Sequence, residues 1–239
     1  MWRLRSKAVY RRSLYRSLTE DCGMAVELDR KEIYRYLGYR GHDVDSETKR
    51  LVESCVEELM KAAEPKAVFR EYPIVITEDG SIDFGHFRVK SNHLSKNLGG
   101  CDRVLLFAVT LGLDVDRLLA KYGKLQVSRA VVMQAAAAVR IEAYCNERCH
   151  EWKQKYEKQG WYLRPRYSPG YGDFSLDFQP VILNELDAGK LIGIVLTDGG
   201  LMIPTKSVTA VIGLSRRKES CHVEGCENCD HENCPYRRI

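Results

Sequence analysis

The chain is organised around one short stretch, Arg164-Pro-Arg-Tyr-Ser-Pro-Gly-Tyr-Gly-Asp173. Its two prolines fix their own φ angles and push the residues before them into extended geometry, so this stretch cannot be helical. Its two glycines permit positive φ angles and let a ligand approach the backbone closely. Arg166 offers a planar fork of donors for a carboxylate, and the rings of Tyr167 and Tyr171 can hold a cation or stack on a base. The stretch therefore fits a small molecule with a carboxylate and a positive centre, although an ordered surface connection would use the same residue types.

The composition is that of an ordinary globular protein. Of the 239 residues, 44% are hydrophobic and 29% are charged, which is enough apolar material for a sizeable core. No apolar run approaches the roughly 20 residues that span a bilayer, so membrane insertion is not expected. The net charge of +4 comes entirely from residues 1–22, which carry six basic and two acidic side chains. The balanced remainder argues against nucleic acid as a partner.

The sequence divides into a basic leader, one domain and a tail. Residues 1–23 lack the apolar segment of an export signal, so a cytoplasmic location is expected. Because Met24 begins a more typical N-terminal sequence, the leader is interpreted as either non-native or disordered. Residues 24–214 carry the periodic segments and are predicted to form a single domain, and residues 215–239 form a cysteine-rich tail.

The periodic segments predict an α+β domain. Arg103–Thr110 is a continuous apolar run of strand length, which is typical of a buried central strand. The turn Glu78-Asp-Gly-Ser81 predicts a hairpin between Lys66–Ile76 and Ser81–Val89. Further strands are predicted at Gly193–Thr197 and Ser207–Leu214, and helices at Asp29–Leu37, Ser46–Ala63, Asp114–Tyr122, Gln126–Gln159 and Val181–Leu186.

The longest predicted helix, Gln126–Gln159, carries one apolar face. The members of this face recur every three or four residues: Val131, Ala135, Ala138, Ile141, Cys145, Cys149, Trp152 and Tyr156. This period predicts that the whole face packs against the core. The run Ala135–Ala138 has only methyl side chains, so another part of the protein could pack very close to the helix.

Four segments, taken in chain order, carry a resemblance to a known family. They are Leu106-Phe-Ala-Val-Thr-Leu-Gly112, the alanine-rich helix that ends at Glu147-Arg148, Arg166-Tyr-Ser-Pro-Gly-Tyr171 and Met202-Ile-Pro-Thr-Lys-Ser-Val-Thr209. Together they resemble the AdoMet-binding activation domain of cobalamin-dependent methionine synthase, over roughly residues 65–214, and in particular its free-standing forms. The resemblance implies a helmet-like or C-shaped α+β fold with a twisted antiparallel sheet flanked by helices.

The resemblance also implies a function. In that family the domain supplies AdoMet for reductive methylation, in which cobalamin in the inactive Co(II) state receives one electron and a methyl group and becomes methylcobalamin. The implied partner is a cobalamin-dependent methionine synthase that lacks its own activation domain and carries the cobalamin itself. The electron would come from a donor such as flavodoxin or ferredoxin.

The family motifs imply roles for residues of this chain. Arg166 would grip the methionyl carboxylate of AdoMet, and Tyr171, as the catalytic residue, would lie near the reacting methyl group. The wall of the same cleft would be formed by Tyr167, Ser168, Pro169, Gly170, Gly172, Met202, Pro204 and Ser207.

The chain departs from the family pattern in three places. The family loop continues into a Cys-Pro-Asp/Glu-His run where this chain has Gly172-Asp-Phe-Ser-Leu-Asp177, and Arg216-Arg-Lys-Glu219 stands where the fused enzymes carry an aromatic pair. An acidic contact from the family's N-terminal arm has no clear counterpart in Met24–Tyr39. The contacts to the adenosine end are therefore open, and Glu142 and Asp173 are the candidate acidic contacts to AdoMet.

Four cysteines, Cys221, Cys226, Cys229 and Cys234, lie within fourteen residues of the tail. Thiolates at such spacing can close a tetrahedral zinc site or hold an iron–sulfur cluster. A flexible, reduced tail is the alternative. Nine cysteines in a chain without an export signal argue for reduced thiols or a metal, and against a disulfide framework.

Two further functions stay open beside the reactivation of methionine synthase. The same fold could serve another corrinoid methyltransferase. Alternatively, the tail and the leader could form a metal-binding module that contacts nucleic acid or another protein. The sequence offers no evident nucleophile–base pair, which suits the first hypothesis because reduced cobalt would be the nucleophile.

Overall fold

The structure is a computed structural model that describes residues 16–17, 28–39 and 42–218. The helices of the described part are α1 (Arg30–Tyr36), α2 (Ser46–Ala62), α3 (Asn92–Asn97), α4 (Leu113–Leu125), α5 (Val127–Glu157), α6 (Gln179–Glu185) and α7 (Ala188–Ile192). The strands are β1 (Arg16–Ser17), β2 (Lys66–Pro73), β3 (Val75–Ile76), β4 (Ser81–Asp83), β5 (Arg88–Lys90), β6 (Arg103–Thr110), β7 (Tyr162–Leu163), β8 (Val195–Leu196), β9 (Met202–Ile203) and β10 (Ser207–Ser215). The predictions made for the tail beyond residue 218, including its four cysteines, and for all of the leader except residues 16–17, lie outside the described residues. Of the predicted tail, Ser215 is the last residue of β10.

A five-stranded antiparallel sheet forms the centre of the fold. Its strand order is β1-β2-β6-β10-β7, and β6 pairs along its whole length with β2 on one side and β10 on the other. Seven of the eight residues of β6 are buried. The prediction of a buried central strand at Arg103–Thr110 is therefore confirmed.

The two faces of this sheet support two separate apolar cores. Leu105, Phe107 and Val109 of β6 point into a core that also contains residues of α1, α2, α4 and α5, and we call this side of the sheet the first face. The alternate residues of β6 point into a second core, which contains residues of α3, α6, α7 and the three-stranded sheet β3-β4-β5, and we call this side the second face. Helices and antiparallel strands thus combine in one domain, as the α+β prediction required.

Helix α5 is the main cover of the first face. Near its C-terminal end Trp152 is 1% exposed, and its ring lies 5.1 Å from that of Phe69 and 5.0 Å from that of Phe107. The predicted apolar face is correct in this half of the helix. It is wrong at Val131, which is 55% exposed, because no described element covers the beginning of the helix there.

Several predicted boundaries are displaced by one or a few residues. Helix α2 is capped by Asp45, whose carboxylate accepts the N–H groups of Glu47 and Thr48. Helix α4 begins directly after Gly112, one residue before the predicted Asp114. The predicted strand Lys66–Ile76 divides after Pro73, because proline has no N–H to continue the ladder, and its last residues form β3 of the smaller sheet.

Within the described ranges, none of the helices combines the length and the apolar character needed to cross a membrane.

Candidate ligand-binding site

One extra residue in the segment after β7 determines where Arg166 points. β7 pairs with β10 through Leu163 and Leu214, and the pairing resumes where Tyr167 forms a bridge with Val211. The segment therefore takes four steps while β10 takes three, which is the definition of a β-bulge. Because side chains alternate between the faces of a sheet, an extra residue reverses the alternation beyond it.

The bulge sends two neighbouring arginines to opposite faces of the sheet. Arg164 donates to the carbonyl oxygen of Gly99 at 2.9 Å, on the second face. Arg166 lies against α5 on the first face, where its guanidinium donates to Asn146 Oδ1 at 3.0 Å and to Glu142 Oε2 at 2.5 Å. In a regular ladder both arginines would share one face, so the bulge brings Arg166 to the helix.

The Arg166–Glu142 pair is accessible from solvent. The side chain of Arg166 is 25% exposed and that of Glu142 is 37% exposed. Glu142 and Asn146 are one helical turn apart on α5, so they present their polar groups side by side. Together these three side chains offer one cationic fork, one carboxylate and one amide within a few ångströms of each other.

Two thiols lie beside this charged group. Burial raises the pKa of Cys145 to about 12, against the opposing effect of the Arg166 charge, and burial likewise raises the pKa of Cys149 above its usual value. Both thiols are consequently protonated at neutral pH and are poor nucleophiles. They form an uncharged wall next to Arg166, in agreement with their predicted place on the apolar face of the helix.

The C-terminal end of the stretch 164–173 is bound to the second face of the sheet through Asp173. Its carboxylate accepts from Ser91 Oγ at 2.5 Å and from the backbone N–H groups of Asn92 and His93 at 2.7 and 3.1 Å. These hydrogen bonds, with Ser91 foremost, lower the pKa of Asp173 to about 2. Asp173 was a candidate contact to AdoMet, whereas in the structure its carboxylate binds the beginning of α3.

The backbone conformation alone, without a ligand, explains why both positions of the stretch are glycine. Gly172 has a φ of 54°, and a Cβ atom there would lie 2.2 Å from His93 Nδ1 and 2.5 Å from the Tyr167 hydroxyl. Gly170 has a φ of 92°, and its N–H donates to the carbonyl oxygen of Phe174 at 2.7 Å. Both glycines therefore allow the tight turn that brings Asp173 to α3.

The aromatic residues of the stretch divide between packing and solvent. Tyr167 packs against the second core, with its ring 6.4 Å from that of Phe174 in a stacked arrangement. Phe174 is only 2% exposed and anchors the turn. Tyr171 is 68% exposed near the tip of the turn. Of the two tyrosines that could hold a cation, only Tyr171 presents its ring freely.

The second motif, Met202–Thr209, spans β9 and the beginning of β10. Met202 packs against the second core, and a cis peptide bond joins Ile203 to Pro204. The hydroxyl of Ser207 donates to the carbonyl oxygen of Pro204 at 2.7 Å and lies 2.9 Å from Thr110 Oγ1. Ser207 is four residues along β10 from Val211, a separation of about 13 Å in an extended strand.

Sequence reasoning did not identify Asn146 or Ser91 as parts of this region. Asn146 could have been found, because it follows Glu142 by four residues on a predicted helix. Ser91 could not, because 82 residues separate it from Asp173 and no pattern in the sequence links the two.

No group of three or more His, Cys, Asp or Glu side chains among residues 28–39 and 42–218 is arranged to hold a metal ion. The cysteines predicted to bind zinc or a cluster (Cys221, Cys226, Cys229 and Cys234) are not among the described residues.

Comparison with known proteins adds one finding. Neither a family model nor a curated protein sequence matches this chain. Among solved structures, the fold is similar to one described as the crystal structure of the MetH reactivation domain bound to AdoHcy. The TM-score is 0.58, the sequence identity is 18%, and the match covers 87% of this chain and 80% of the other. At this identity the similarity concerns the fold, and it agrees with the fold implied by the sequence motifs.

Proposed function

We propose that this chain binds AdoMet beside Arg166 and Glu142 and supports the reductive methylation of cob(II)alamin held by a separate methionine synthase. In this reaction cob(II)alamin gains one electron from a donor such as flavodoxin or ferredoxin and a methyl group from AdoMet, leaving methylcobalamin and AdoHcy. We place the reaction in the cytoplasm, with a synthase that lacks its own activation domain as the partner.

The observation that carries the proposal is the exposed pair of Arg166 and Glu142. The methionyl end of AdoMet has a carboxylate and an ammonium group on the same carbon. An arginine fork and a carboxylate 2.5 Å apart present the complementary charges at matching spacing. When the ligand enters, its carboxylate would take N–H donors of Arg166 and its ammonium would replace Arg166 as the partner of Glu142.

Two further observations support the proposal. The fold is similar to that of a reactivation domain whose structure contains AdoHcy, the demethylated form of AdoMet. In addition, the turn that follows Arg166 is held rigidly by Asp173 and Phe174, as a preorganised binding site requires.

The residues of this chain would act by holding and orienting the ligand. AdoMet itself supplies the chemistry, a methyl group on a positively charged sulfur. Tyr171, whose ring is 68% exposed, would lie near the sulfonium, where a ring face contributes about 0.5–2 kcal/mol. Met202, Pro204 and Ser207 are predicted to line the cleft as well, but Met202 packs against the second core and Ser207 lies opposite Thr110 on the second face. The contacts beside Arg166 on the first face therefore carry this proposal. The protonated thiols of Cys145 and Cys149 would not compete for the methyl group, since the thiolate is the nucleophilic form.

Calorimetric titration with AdoHcy, which is chemically more stable than AdoMet, tests the binding site. We expect Arg166→Ala to weaken AdoHcy binding by at least about tenfold, because a desolvated carboxylate is left without a partner. Arg166→Lys should bind with intermediate affinity, since it keeps the charge and loses the planar fork.

Arg88→Ala is the matched control for this experiment. Arg88 also pairs with an acidic residue, Asp83 at 2.9 Å, and its side chain is 61% exposed, but it lies on β5 of the smaller sheet. Its loss should leave AdoHcy affinity unchanged. Equal affinities of wild type and Arg166→Ala, with both proteins melting cooperatively, would contradict the proposed binding site.

A further inference from the structure

The beginning of α5 carries an exposed apolar surface. Leu125, at the end of α4, is 72% exposed, and Val127 and Val131 on α5 are 74% and 55% exposed. Isolated apolar residues on a surface are ordinary, but these three lie within seven consecutive residues. Polar residues at these positions would not lower the stability of a free monomer, so the cluster indicates a contact surface.

A groove runs beside this cluster. Its volume is about 460 Å³. Its walls are formed by Tyr36, Gly123, Val127, Ala130, Val131, Gln134, Ala135 and Lys206. Small residues, Gly123 and two alanines, keep it open, so it could admit one or two apolar side chains from a second molecule. We call this groove together with Leu125 the α5 groove surface.

The α5 groove surface lies in line with the proposed AdoMet site. Val131, Ala135, Ala138 and Glu142 follow one another at intervals of three or four residues, so they share one face of the helix. Glu142 lies eleven positions after Val131, which corresponds to a rise of about 16 Å along the helix. A macromolecule seated on the groove would thus reach the region of Arg166 and Glu142 without contacting the second face.

Basic residues outnumber acidic ones around the groove. Lys206 lines it, and Lys124 follows the wall residue Gly123 in the chain. Neither lysine forms a salt bridge with a described residue, whereas Lys121 and Arg117 pair with Glu58 and Asp114. The one opposing charge that acts on Lys206 is Asp116, whose carboxylate is also bound by the N–H and hydroxyl of Thr205 at 2.7 Å each. Two lysines beside one carboxylate favour a partner with acidic side chains around an apolar contact.

We propose that the α5 groove surface docks the protein that carries the methyl acceptor. That protein inserts an apolar side chain between Val127 and Val131 and places acidic side chains against Lys124 and Lys206. The inference rests on the proposed function, because only a reaction whose acceptor is held by another protein requires such a surface next to the ligand.

The test uses methionine synthase without its activation domain, loaded with cob(II)alamin, as the probe. Its affinity for this chain is measured by calorimetry in the presence of saturating AdoHcy. We expect Val131→Glu to raise the Kd at least about tenfold, because it places a charge in an apolar contact. Lys206→Glu should raise the Kd and reduce its salt dependence.

Val195→Glu is the matched control, since Val195 is 52% exposed on β8 and the substitution adds the same charge. It should change the Kd less than about twofold, and all three variants should retain AdoHcy affinity.

If the synthase binds and Val131→Glu behaves like Val195→Glu, the docking surface is wrong and the proposed function stands. If wild type binds AdoHcy but no synthase, the proposed partner is wrong as well. If Val131→Glu instead converts a dimer to a monomer in ultracentrifugation, without affecting the synthase, a second copy occupies the groove and the inference is overturned.

Discussion

The two faces of the central sheet use the same loop in different ways. On the first face, Arg166 meets Glu142 in a pair that solvent can reach. On the second face, Asp173 is engaged by three donors at the start of α3, and Phe174 is buried. One end of the loop is thus available for binding, while the other end is used for structure.

This difference shows how a proline- and glycine-rich loop can hold a charged side chain accurately. Loops place side chains less precisely than helices or strands do. Here the bridge between Tyr167 and Val211 and the bonds of Asp173 fix the loop on both sides of its turn. We therefore expect substitutions on the second face to lower stability, and those on the first face to lower affinity with little effect on stability.

Removal of the Phe174 ring should have the largest effect on stability. Phe174 is 2% exposed, and Phe→Ala at buried sites costs about 3–5 kcal/mol. Urea denaturation of Phe174→Ala should show a loss of this size. Leu176→Ala, in the same loop but 61% exposed, should change the free energy of unfolding by no more than about 0.5 kcal/mol. Equal losses in the two variants would contradict the division between the faces.

Asp173→Asn should have a smaller effect that depends on pH. The pKa of Asp173 is lowered from 3.8 to about 2 in the folded protein. Its charged form therefore contributes stability above about pH 4, and this contribution disappears as the pH falls towards 2. Thermal melts should give the variant a lower Tm than wild type at pH 7.

The Tm difference between wild type and Asp173→Asn should close between about pH 4 and pH 2. Asp177→Asn removes a carboxylate from the same loop and serves as the control, with a smaller difference expected at pH 7. A difference for Asp173→Asn that does not change with pH would show that its role is steric rather than electrostatic.

Glu142→Gln should have the smallest effect on stability. Exposed ion pairs contribute about 0–1 kcal/mol to folding, and Gln keeps the length of the side chain. AdoHcy binding should nevertheless weaken severalfold, because an amide cannot neutralise the ammonium group of the ligand. Calorimetry and urea denaturation of one preparation measure both quantities, and unchanged affinity would remove Glu142 from the proposed site.

The sequence predicted the elements that depend on local pattern. The apolar run of β6 and the long period of α5 were visible because each signal extends over many residues. The same reasoning failed at Val131, since periodicity tells which residues share a face but not how far along the helix that face is covered. For that reason the groove at the start of α5 was not predicted.

The candidate site was predictable in its composition and not in its arrangement. The motif identified Arg166. Glu142 was predicted to contact the ligand, and its ion pair with Arg166 was not predicted. The contact of Asp173 with AdoMet stays a prediction. Its hydrogen bonds to the start of α3 were not foreseen, because short polar side chains bind helix starts or ligands equally well and Ser91 is distant in sequence. Such long-range pairings arise from the topology of the sheet, which no local pattern reports.

The bulge between β7 and Tyr167 also bears on how the chain tolerates changes of length. If Pro165 were removed, Leu163 and Tyr167 would keep their partners Leu214 and Val211 and the ladder between them would become regular. Arg166 would then lie opposite Ile212 on the first face, and Arg164 would stay on the second face beside Gly99. The bulge therefore marks a position where related chains can differ by one residue and still present the same guanidinium to α5.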